Sequence, residues 1–351
     1  MTKDKFMEKS GISKQSYNSI DLMKFIMAFA VVALHIRPLE NYNIDIVNKL
    51  YNIFTLMAVP FFFLSSGFLL ASKMQWPYGG LNDLTRIKHQ LSRIIQLYII
   101  WTIIYFPLAI YHFVDKGYSP LYSILLYIRG VFLTGQNYNS WQLWYLLSTI
   151  YTLLIIYLII KRSGSIKSLI PLIVVASFIS IGIDILMLYN GSLSSVIALI
   201  RKLITYSIGS GRIFSGLIYI PIGMIMFHKR LPHYINWLLL IGSSVARFFI
   251  VNEFITGYLI VFSSIGLFGI IISISLHDSL VYPLLRNMST IVYLIHMYIW
   301  TLYYMLIYGE KTHGLDSFIV VSLVSSIFAI LYSRIKVYRK RLSSTVVTDR
   351  R

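Results

Sequence analysis

The chain has 351 residues, of which 57% are hydrophobic and only 13% are charged. This composition excludes an ordinary soluble globular protein and indicates a polytopic membrane protein. Most of the lysines and arginines behind the net charge of +18 lie between apolar segments, so we expect membrane lipids, and no nucleic acid, as partners. The sequence contains no cysteine, which excludes disulfides, thiolate ligands and cysteine nucleophiles.

Hydropathy predicts the membrane topology. A bilayer core about 30 Å thick takes about 20 helical residues, and on this scale we predict an all-α polytopic membrane protein with about ten transmembrane helices. The predicted spans are residues 20–36, 51–72, 94–114, 141–160, 168–188, 212–228, 235–252, 256–276, 288–308 and 316–337. We interpret residues 1–19 as a cytoplasmic leader, 20–340 as one membrane domain and 341–351 as a linker to a further domain.

The distribution of basic residues predicts the orientation. With the amino terminus in the cytoplasm, most lysines and arginines between the spans fall on the inner side. An even number of spans returns the chain to the cytoplasm, and the basic tail from Arg334 to Arg341 agrees with that placement. We therefore expect both termini in the cytoplasm, with the chain crossing the membrane several times.

The first span carries the clearest lead to function. Lys24 and His35 are the polar side chains that follow Asp21 in this apolar helix, and they are eleven positions apart. That spacing puts them on one face, about 16 Å apart along the axis, and ionisable groups at such depth usually face a cavity or a partner. We expect both to face one cavity, with Asp21 orienting the Lys24 ammonium. The plain alternatives are a snorkelling Lys24, a His35 that caps the outer end and an Asp21 that caps the helix start.

The second and third spans add candidate residues. Ser66 and Gly67 end the aromatic run Pro60–Phe68, and small residues either let helices approach closely or admit a thin ligand. We place Ser66 and Gly67 at a narrow passage, with helix packing as the alternative. Arg93 stands at the cytoplasmic mouth of the third span, where it can bind lipid phosphate or a phosphorylated ligand.

Two later spans carry Trp144 and His296. Tryptophan at a span edge usually belongs to the aromatic belt, and a histidine inside a span usually makes an interhelical hydrogen bond. Two further apolar segments are too short for spans: residues 120–133 predict a re-entrant or interfacial helix, and residues 194–206 predict an amphipathic helix on the outer surface.

Taken in order, these motifs resemble the acyltransferase-3 family. The shared features are Lys24 eleven positions before His35, Phe-Phe-x-x-Ser-Gly-Phe, Arg-Ile-x-x-x-Tyr, Leu-Trp-Tyr-Leu and a late Tyr-Leu-Ile-His, over residues 19–340. More narrowly, the chain is similar to the membrane half of the serine racemases of vancomycin-resistance operons. In those proteins an alanine-racemase-like domain that binds pyridoxal phosphate follows the membrane half.

The resemblance implies O-acyl transfer from cytoplasmic acyl-CoA, most simply acetyl-CoA, to a hydroxyl acceptor at the outer face. It implies His35 as the catalytic base, Lys24 as its basic partner and Arg93 as one arginine of a cytoplasmic pair. Gln90 stands where the other member of that pair is expected, and Gln96 replaces a frequent proline. No metal is expected, and pyridoxal phosphate is expected only in the further domain. The remaining candidates for donor or substrate binding are Asp21, Ser66, Gly67, Trp144 and His296.

Two other functions remain open from the sequence. In the first of these the same cavity binds L-serine and passes it to a racemase domain fused after Arg351, although the paired broken helices typical of transporters are not obvious. The domain could also be an anchor, but an anchor needs one span and ten are predicted. Arg247 and Glu253 have no role in any of these interpretations.

Overall fold

The computed structural model describes residues 17–40, 42, 44–75, 79–189, 191, 194–209 and 211–348, with side chains described up to residue 335. Residues 1–16 of the predicted leader and 349–351 of the predicted linker lie outside the described residues. The described chain is all-helical and contains no strand, which confirms the predicted fold class of a polytopic helical membrane protein. Residues 341–348, interpreted as linker, continue the last helix.

Thirteen α-helices follow one another in the described residues. The first six are α1 (Asn18–Ile36), α2 (Asp45–Thr55), α3 (Ala58–Ala71), α4 (Leu81–Asp115), α5 (Pro120–Arg129) and α6 (Trp144–Ser163). The next seven are α7 (Leu169–Leu188), α8 (Ser195–Ile208), α9 (Ser215–His228), α10 (His233–Phe249), α11 (Glu253–Ile271), α12 (Val281–Ile307) and α13 (Leu315–Thr348). Short 3₁₀ turns precede α6, α7 and α9, at Trp141–Leu143, Ile166–Ser168 and Arg212–Phe214, and a π-helical turn, Gly130–Thr134, follows α5.

Eight spans among the described residues are long and apolar enough to cross a membrane, or nine if α8 and Arg212–His228 together form one bent span, against about ten predicted. Helices α2 and α3 count together as one span, and the second predicted span therefore begins earlier than expected, at Asp45. The other two predicted spans correspond to α9, with 14 residues, and α10, with 17 residues, which fall below the length of the other spans. The predicted short helices are present as Pro120–Thr134 and Ser195–Ile208.

The core forms where α1 packs between α3 and α12, and where α3 packs on α9. The α3–α9 contact depends on Gly67 and Gly223, since a Cβ at either position would lie 2.0 Å from the Ile220 carbonyl oxygen or 2.1 Å from the Leu64 carbonyl oxygen. Gly67 thus allows two backbones to touch, as small residues commonly do between membrane helices. We predicted that Gly67 lines a narrow passage. The structure instead places it in the contact between α3 and α9, which is the packing alternative.

The carboxyl end of α1 is set by a local stop signal. Arg37 has a left-handed backbone conformation (φ 52°) and its N–H donates to the Ala33 carbonyl oxygen. Pro38 follows, and proline cannot continue a helix because it lacks the N–H donor. The helix therefore ends directly after His35 and Ile36, which leaves His35 within one turn of its carboxyl end.

Arg247 binds the carboxyl end of α2, next to the break between α2 and α3. Its guanidinium is buried and donates to the carbonyl oxygens of Ile53 (3.1 Å) and Asn52 (3.0 Å), near the end of α2. Helix ends leave carbonyl groups without intrahelical donors, and such groups need partners when they are buried. Arg247 of α10 adds a donor to both carbonyl groups, so the residue without a role in the sequence interpretation connects α10 to the end of α2.

Candidate functional site

Helices α1 and α12 lie side by side and run parallel, which brings together residues far apart in sequence. Near their amino-terminal ends Asp21 pairs with Arg286, and ten residues later along α12 His296 meets His35. The predicted orientation places the first pair at the cytoplasmic side and the second pair at the outer side. The α1–α12 contact therefore carries polar groups at both ends and apolar packing between.

The Asp21 carboxylate, which is 2% exposed, receives two hydrogen bonds from the Arg286 guanidinium. The bond from Nε to Oδ1 is 2.7 Å long. Asn18 adds a bond to Asp278 Oδ1 at 2.8 Å. Asp21 lies within electrostatic range of Lys24, but its hydrogen-bond partner is Arg286 and not the Lys24 ammonium that we expected it to orient. A bidentate arginine–carboxylate pair fixes both distance and angle, so it holds the two helices in register.

Lys24 belongs to a group of cations on several elements at this end of the fold. It is half-buried, and it lies within electrostatic range of Arg286, Arg93 and Lys73. Arg93, on α4, is exposed. Cations that converge from different helices favour a polyanion such as a phosphate group. Lys24 and Arg93 thus lie within electrostatic range of each other.

The other end of the seam holds two histidines. The rings of His35 and His296 stack with their centroids 5.4 Å apart and their planes inclined by 28°. Trp141, from the 3₁₀ turn before α6, contacts the His35 ring at a centroid distance of 5.9 Å. His296 is fully buried, whereas His35 retains partial exposure. A pair of imidazoles with one partly accessible member is suited to proton transfer with a molecule that reaches the exposed ring.

The hydrogen bond of His296 determines which of its ring nitrogens carries the proton. Nδ1 lies 3.2 Å from the carbonyl oxygen of Val292, one turn earlier in the same helix, so Nδ1 carries the proton and donates. In the neutral ring Nε2 is then an acceptor, and it has no partner in the described part of the chain. The interhelical bond expected from sequence is not formed. A buried nitrogen without a partner is costly and needs an explanation, of which a ligand's hydroxyl group is one.

A lysine that the sequence interpretation missed completes this region. The Lys311 ammonium lies over the rings of Trp141 and Trp300, 4.3 and 4.9 Å from their centroids. The Trp300 indole N–H donates to the Thr312 carbonyl oxygen at 3.1 Å and thereby fixes the loop that carries Lys311. Burial against these rings, reinforced by the nearby positive charge of Arg37, lowers the pKa of Lys311 from its usual value. In the sequence Lys311 is only a basic residue in a loop that we predicted to be outer, and such a residue does not by itself indicate a site.

The Glu40 carboxylate acts electrostatically on Lys311, but its ion pairs are with residues other than Lys311. It pairs with Arg37 at 3.2 Å and with His313 at 3.7 Å. His313 Nδ1 also lies 3.0 Å from the Ile36 carbonyl oxygen, at the end of α1. Lys311 has no salt bridge within 4.0 Å among the residues that the structure describes. Its positive charge therefore remains uncompensated by a direct carboxylate contact.

Trp144 and Ser66 lie away from the histidines. Trp144 packs on Phe63 at a centroid distance of 5.8 Å, and it is Trp141 that contacts His35. The Ser66 hydroxyl bonds to the hydroxyl of Tyr145 at 3.0 Å. The two tryptophans, three positions apart, occupy the 3₁₀ turn and the start of α6, and only the tertiary fold determines which of them meets His35.

The seam between Lys24 and His35 is closed by packing. Ala28 and Val31 fall on the same helical face as the two polar residues, at spacings of four and seven positions from Lys24, and they are 0% and 1% exposed. The expected single cavity is therefore not open along this face. A separate cavity lies behind the 3₁₀ turn, between α4, α5 and residues 135–143, and is lined by Tyr98, Thr102, Tyr105, Tyr127, Gly135, Asn137, Ser140 and Leu143.

Comparison with known proteins identifies the family of this chain. Residues 17–334 match the family model described as Acyltransferase domain, of the acyltransferase-3 family. Two curated proteins of Enterococcus faecalis, each named amino-acid racemase, are 29% and 28% identical over 155 and 150 residues. These matches cover 43% and 42% of this chain but only 20% and 19% of the relatives, so the chain spans about a fifth of their length. No solved structure matches it. The chain belongs to the acyltransferase-3 family.

Proposed function

We propose that this domain transfers an acyl group from cytoplasmic acyl-CoA, most simply acetyl-CoA, to a hydroxyl acceptor at the outer face of a bacterial plasma membrane, with His35 as general base. The observation that carries the proposal is the stacked pair of His35 and His296 at the outer end of α1, in a chain of the acyltransferase-3 family. His35 is the partly exposed member, so it is the one that an acceptor can reach.

The proposed step uses the imidazole of His35 as proton carrier. Its unprotonated nitrogen takes the proton of the acceptor hydroxyl while the hydroxyl oxygen attacks the thioester carbonyl carbon. The carbon–sulfur bond then breaks, and the departing thiolate takes the proton from the imidazolium to form the free thiol. The buried His296 packs against one face of the His35 ring and limits its reorientation.

Lys24 and Arg93 are the proposed contacts for the donor's phosphate groups. They act electrostatically on each other, and Lys73 adds a third positive charge. Guanidinium and ammonium groups bind phosphate oxygens by charge-assisted hydrogen bonds. Asp21 would neutralise part of this charge, but its hydrogen bonds hold Arg286, so Lys24 stays available.

The donor arm must pass the seam between these two ends. Ala28 and Val31 close the α1 face between Lys24 and His35, and both side chains are small. In this proposal they move aside when the pantetheine arm enters from the cytoplasm. Val31→Trp then blocks the transfer of the acyl group while binding of the nucleotide end at Lys24 and Arg93 is retained.

The test uses the 351-residue chain purified in lipid nanodiscs and, separately, membrane vesicles from bacteria that make it. We expect saturable binding of radiolabelled acetyl-CoA that is weakened at least tenfold by Lys24→Met or Arg93→Gln. Acetyl transfer to hydroxyl compounds of the vesicles should be lost in His35→Ala, while Lys116→Gln, an exposed lysine of the α4 end, serves as matched control. Full transfer by the His35 variant would rule out its role as base.

L-serine transport is a second candidate, because the curated relatives are named amino-acid racemase. In this reading the chain is the membrane part of a longer protein whose further domain holds pyridoxal phosphate and racemises serine, in the setting of vancomycin resistance. Proteoliposomes that contain residues 1–351 should then accumulate labelled L-serine above empty vesicles. Uptake without acetyl transfer would favour this candidate over the first.

A further inference from the structure

We propose that the outer ends of α1 and α12 form a binding site for a small hydroxyl compound that also carries a carboxylate or phosphate group. In this site His296 and His35 receive the hydroxyl, and the Lys311 ammonium receives the anionic group. The inference deepens the proposed acyl transfer and rests on it for the reaction, because it names the chemical class of the acceptor. Binding of the acceptor class can be measured without any acyl donor.

The first argument is the unpartnered nitrogen of His296. This side chain is 0% exposed, its Nδ1 bonds to the Val292 carbonyl oxygen, and its Nε2 has no partner among the described residues. Since Nδ1 donates, Nε2 can only accept in the neutral ring. A hydroxyl group is a donor small enough for such a position. The stacked His35 ring borders the same place and is partly exposed.

The second argument is the placement of Lys311. Its ammonium shares the Trp141 ring with the His35 imidazole, the two groups lying 4.3 and 5.9 Å from the centroid of that ring. Trp300 contacts the ammonium at 4.9 Å as well. The two indoles hold the cation in one position beside the histidines. A cation fixed in this way next to a hydrogen-bond acceptor can bind an anion that lies a few atoms away from a hydroxyl.

The third argument is the charge balance around the histidines. Arg212, from the 3₁₀ turn before α9, and Lys311 both act on His35 electrostatically. The carboxylate of Glu40 is engaged by Arg37 at 3.2 Å. The charged side chains that act on His35 in the described structure are therefore positive. A neutral polyol offers nothing to such charges, whereas an acceptor with a carboxylate or phosphate compensates them.

The experiment measures binding of three probes to the chain in lipid nanodiscs. D-glycerate and sn-glycerol 3-phosphate carry hydroxyls and an anionic group, and glycerol lacks the anion. Calorimetry should show saturable binding of at least one anionic probe that is tenfold or more tighter than that of glycerol. The ratio between glycerate and glycerol phosphate tells whether a carboxylate or a phosphate is preferred.

Variants separate charge from packing. Lys311→Gln should weaken the anionic probe at least tenfold and leave glycerol unchanged, and Lys311→Arg should restore binding to within about threefold. Lys116→Gln, another exposed lysine that lies beside Asp115, should have no effect. Equal binding of glycerol and the anions, no binding of either anion, or an unaffected Lys311→Gln variant would overturn the inference.

Failure of this inference is distinguishable from failure of the proposed function. Anion binding that depends on Lys311, together with the absence of acetyl transfer in membrane vesicles, would retain the site and reject the acyltransferase activity. Acetyl transfer that requires His35 but proceeds at the same rate in Lys311→Gln would retain the activity and reject the anionic acceptor.

Discussion

His35 and His296 stack with ring centroids 5.4 Å apart although 261 positions separate them in the chain. The contact exists because α1 and α12 run parallel, with Asp21 and Arg286 paired at the opposite end of the seam. One ring is buried and the other is partly exposed, so the pair connects the protein interior with the surface.

The first prediction concerns His296. Because Nε2 has no partner in the described chain, His296→Phe removes only the bond from Nδ1 within its own helix, and a ring of similar size refills the space. We expect the thermal unfolding temperature in detergent to stay within about 3 °C of wild type, since the lost hydrogen bond contributes about 1 kcal/mol. Acetyl transfer should fall by about tenfold or more, because the nitrogen that accepts a hydrogen bond from the acceptor hydroxyl is lost.

Gln142 supplies a matched comparison for His296. It is 1% exposed, and its amide donates to the Leu294 carbonyl oxygen at 2.9 Å. Gln142→Leu leaves this carbonyl with one partner fewer, so we expect it to destabilise the fold more than His296→Phe while affecting transfer less. An equal loss of folded protein in both variants would mean that His296 acts only through packing.

The second prediction tests the Asp21–Arg286 pair as the element that holds α1 and α12 in register. Asp21→Asn should destabilise the protein by about 1–3 kcal/mol, the range for a hydrogen-bonded pair with charged groups, because the carboxylate is buried although half of the Arg286 side chain is exposed. The effect is measured as the unfolding midpoint in sodium dodecyl sulfate titration.

A double-mutant cycle identifies the interaction itself. Asp21→Asn and Arg286→Gln together should cost little more than either change alone. The exposed pair of Asp45 and Lys49, 2.9 Å apart on α2, is the control, and its loss should cost at most about 0.5 kcal/mol. Additive effects of the Asp21 and Arg286 variants would refute a shared contribution.

The third prediction concerns the backbone contact between α3 and α9. A Cβ at Gly67 would lie 2.0 Å from the Ile220 carbonyl oxygen, which leaves no room for the methyl group unless the helices separate. Gly67→Ala should therefore sharply reduce the yield of folded protein in size-exclusion chromatography. Gly182→Ala, at a helical position with no atom within 4 Å of the added Cβ, should be tolerated. Normal yield of the Gly67 variant would show that the two helices are not in contact at this point.

The fourth prediction is a pH dependence of anion binding at Lys311. Partial burial against Trp141 and Trp300 lowers the pKa of the Lys311 ammonium, and the nearby positive charge of Arg37 lowers it further. The negative charge of Glu40 has the opposite, smaller effect on this pKa. The charged form is present at low pH and is lost as the pH rises through this lowered pKa, below the value of about 10.4 for an ordinary lysine. Binding of D-glycerate should therefore weaken between neutral pH and that value.

Lys311→Arg is the control for the pH series. The guanidinium remains charged throughout this range, so the variant should keep its affinity for glycerate at high pH. The measurement is a calorimetric titration series in nanodiscs. Parallel loss of binding in wild type and Lys311→Arg would assign the pH effect to another group.

The sequence by itself determined the class of the protein and much of its family likeness. A long apolar run predicts a membrane helix because backbone groups in lipid must bond within their own segment, and this requires only local information. The spacing of Lys24 and His35 similarly follows from the helical repeat alone. The order of short motifs was enough to suggest the family that the comparison with known proteins then confirmed.

The tertiary structure decided the partners. Asp21 meets Arg286 instead of Lys24, and Trp141 instead of Trp144 meets His35, because helix packing places residues distant in sequence side by side. Lys311 lies at the site because its loop packs on Trp141, and no sequence pattern predicts this contact. Local patterns fix which segments are helices and which faces are polar, whereas contacts between helices depend on side-chain packing across the whole bundle, which no single segment encodes.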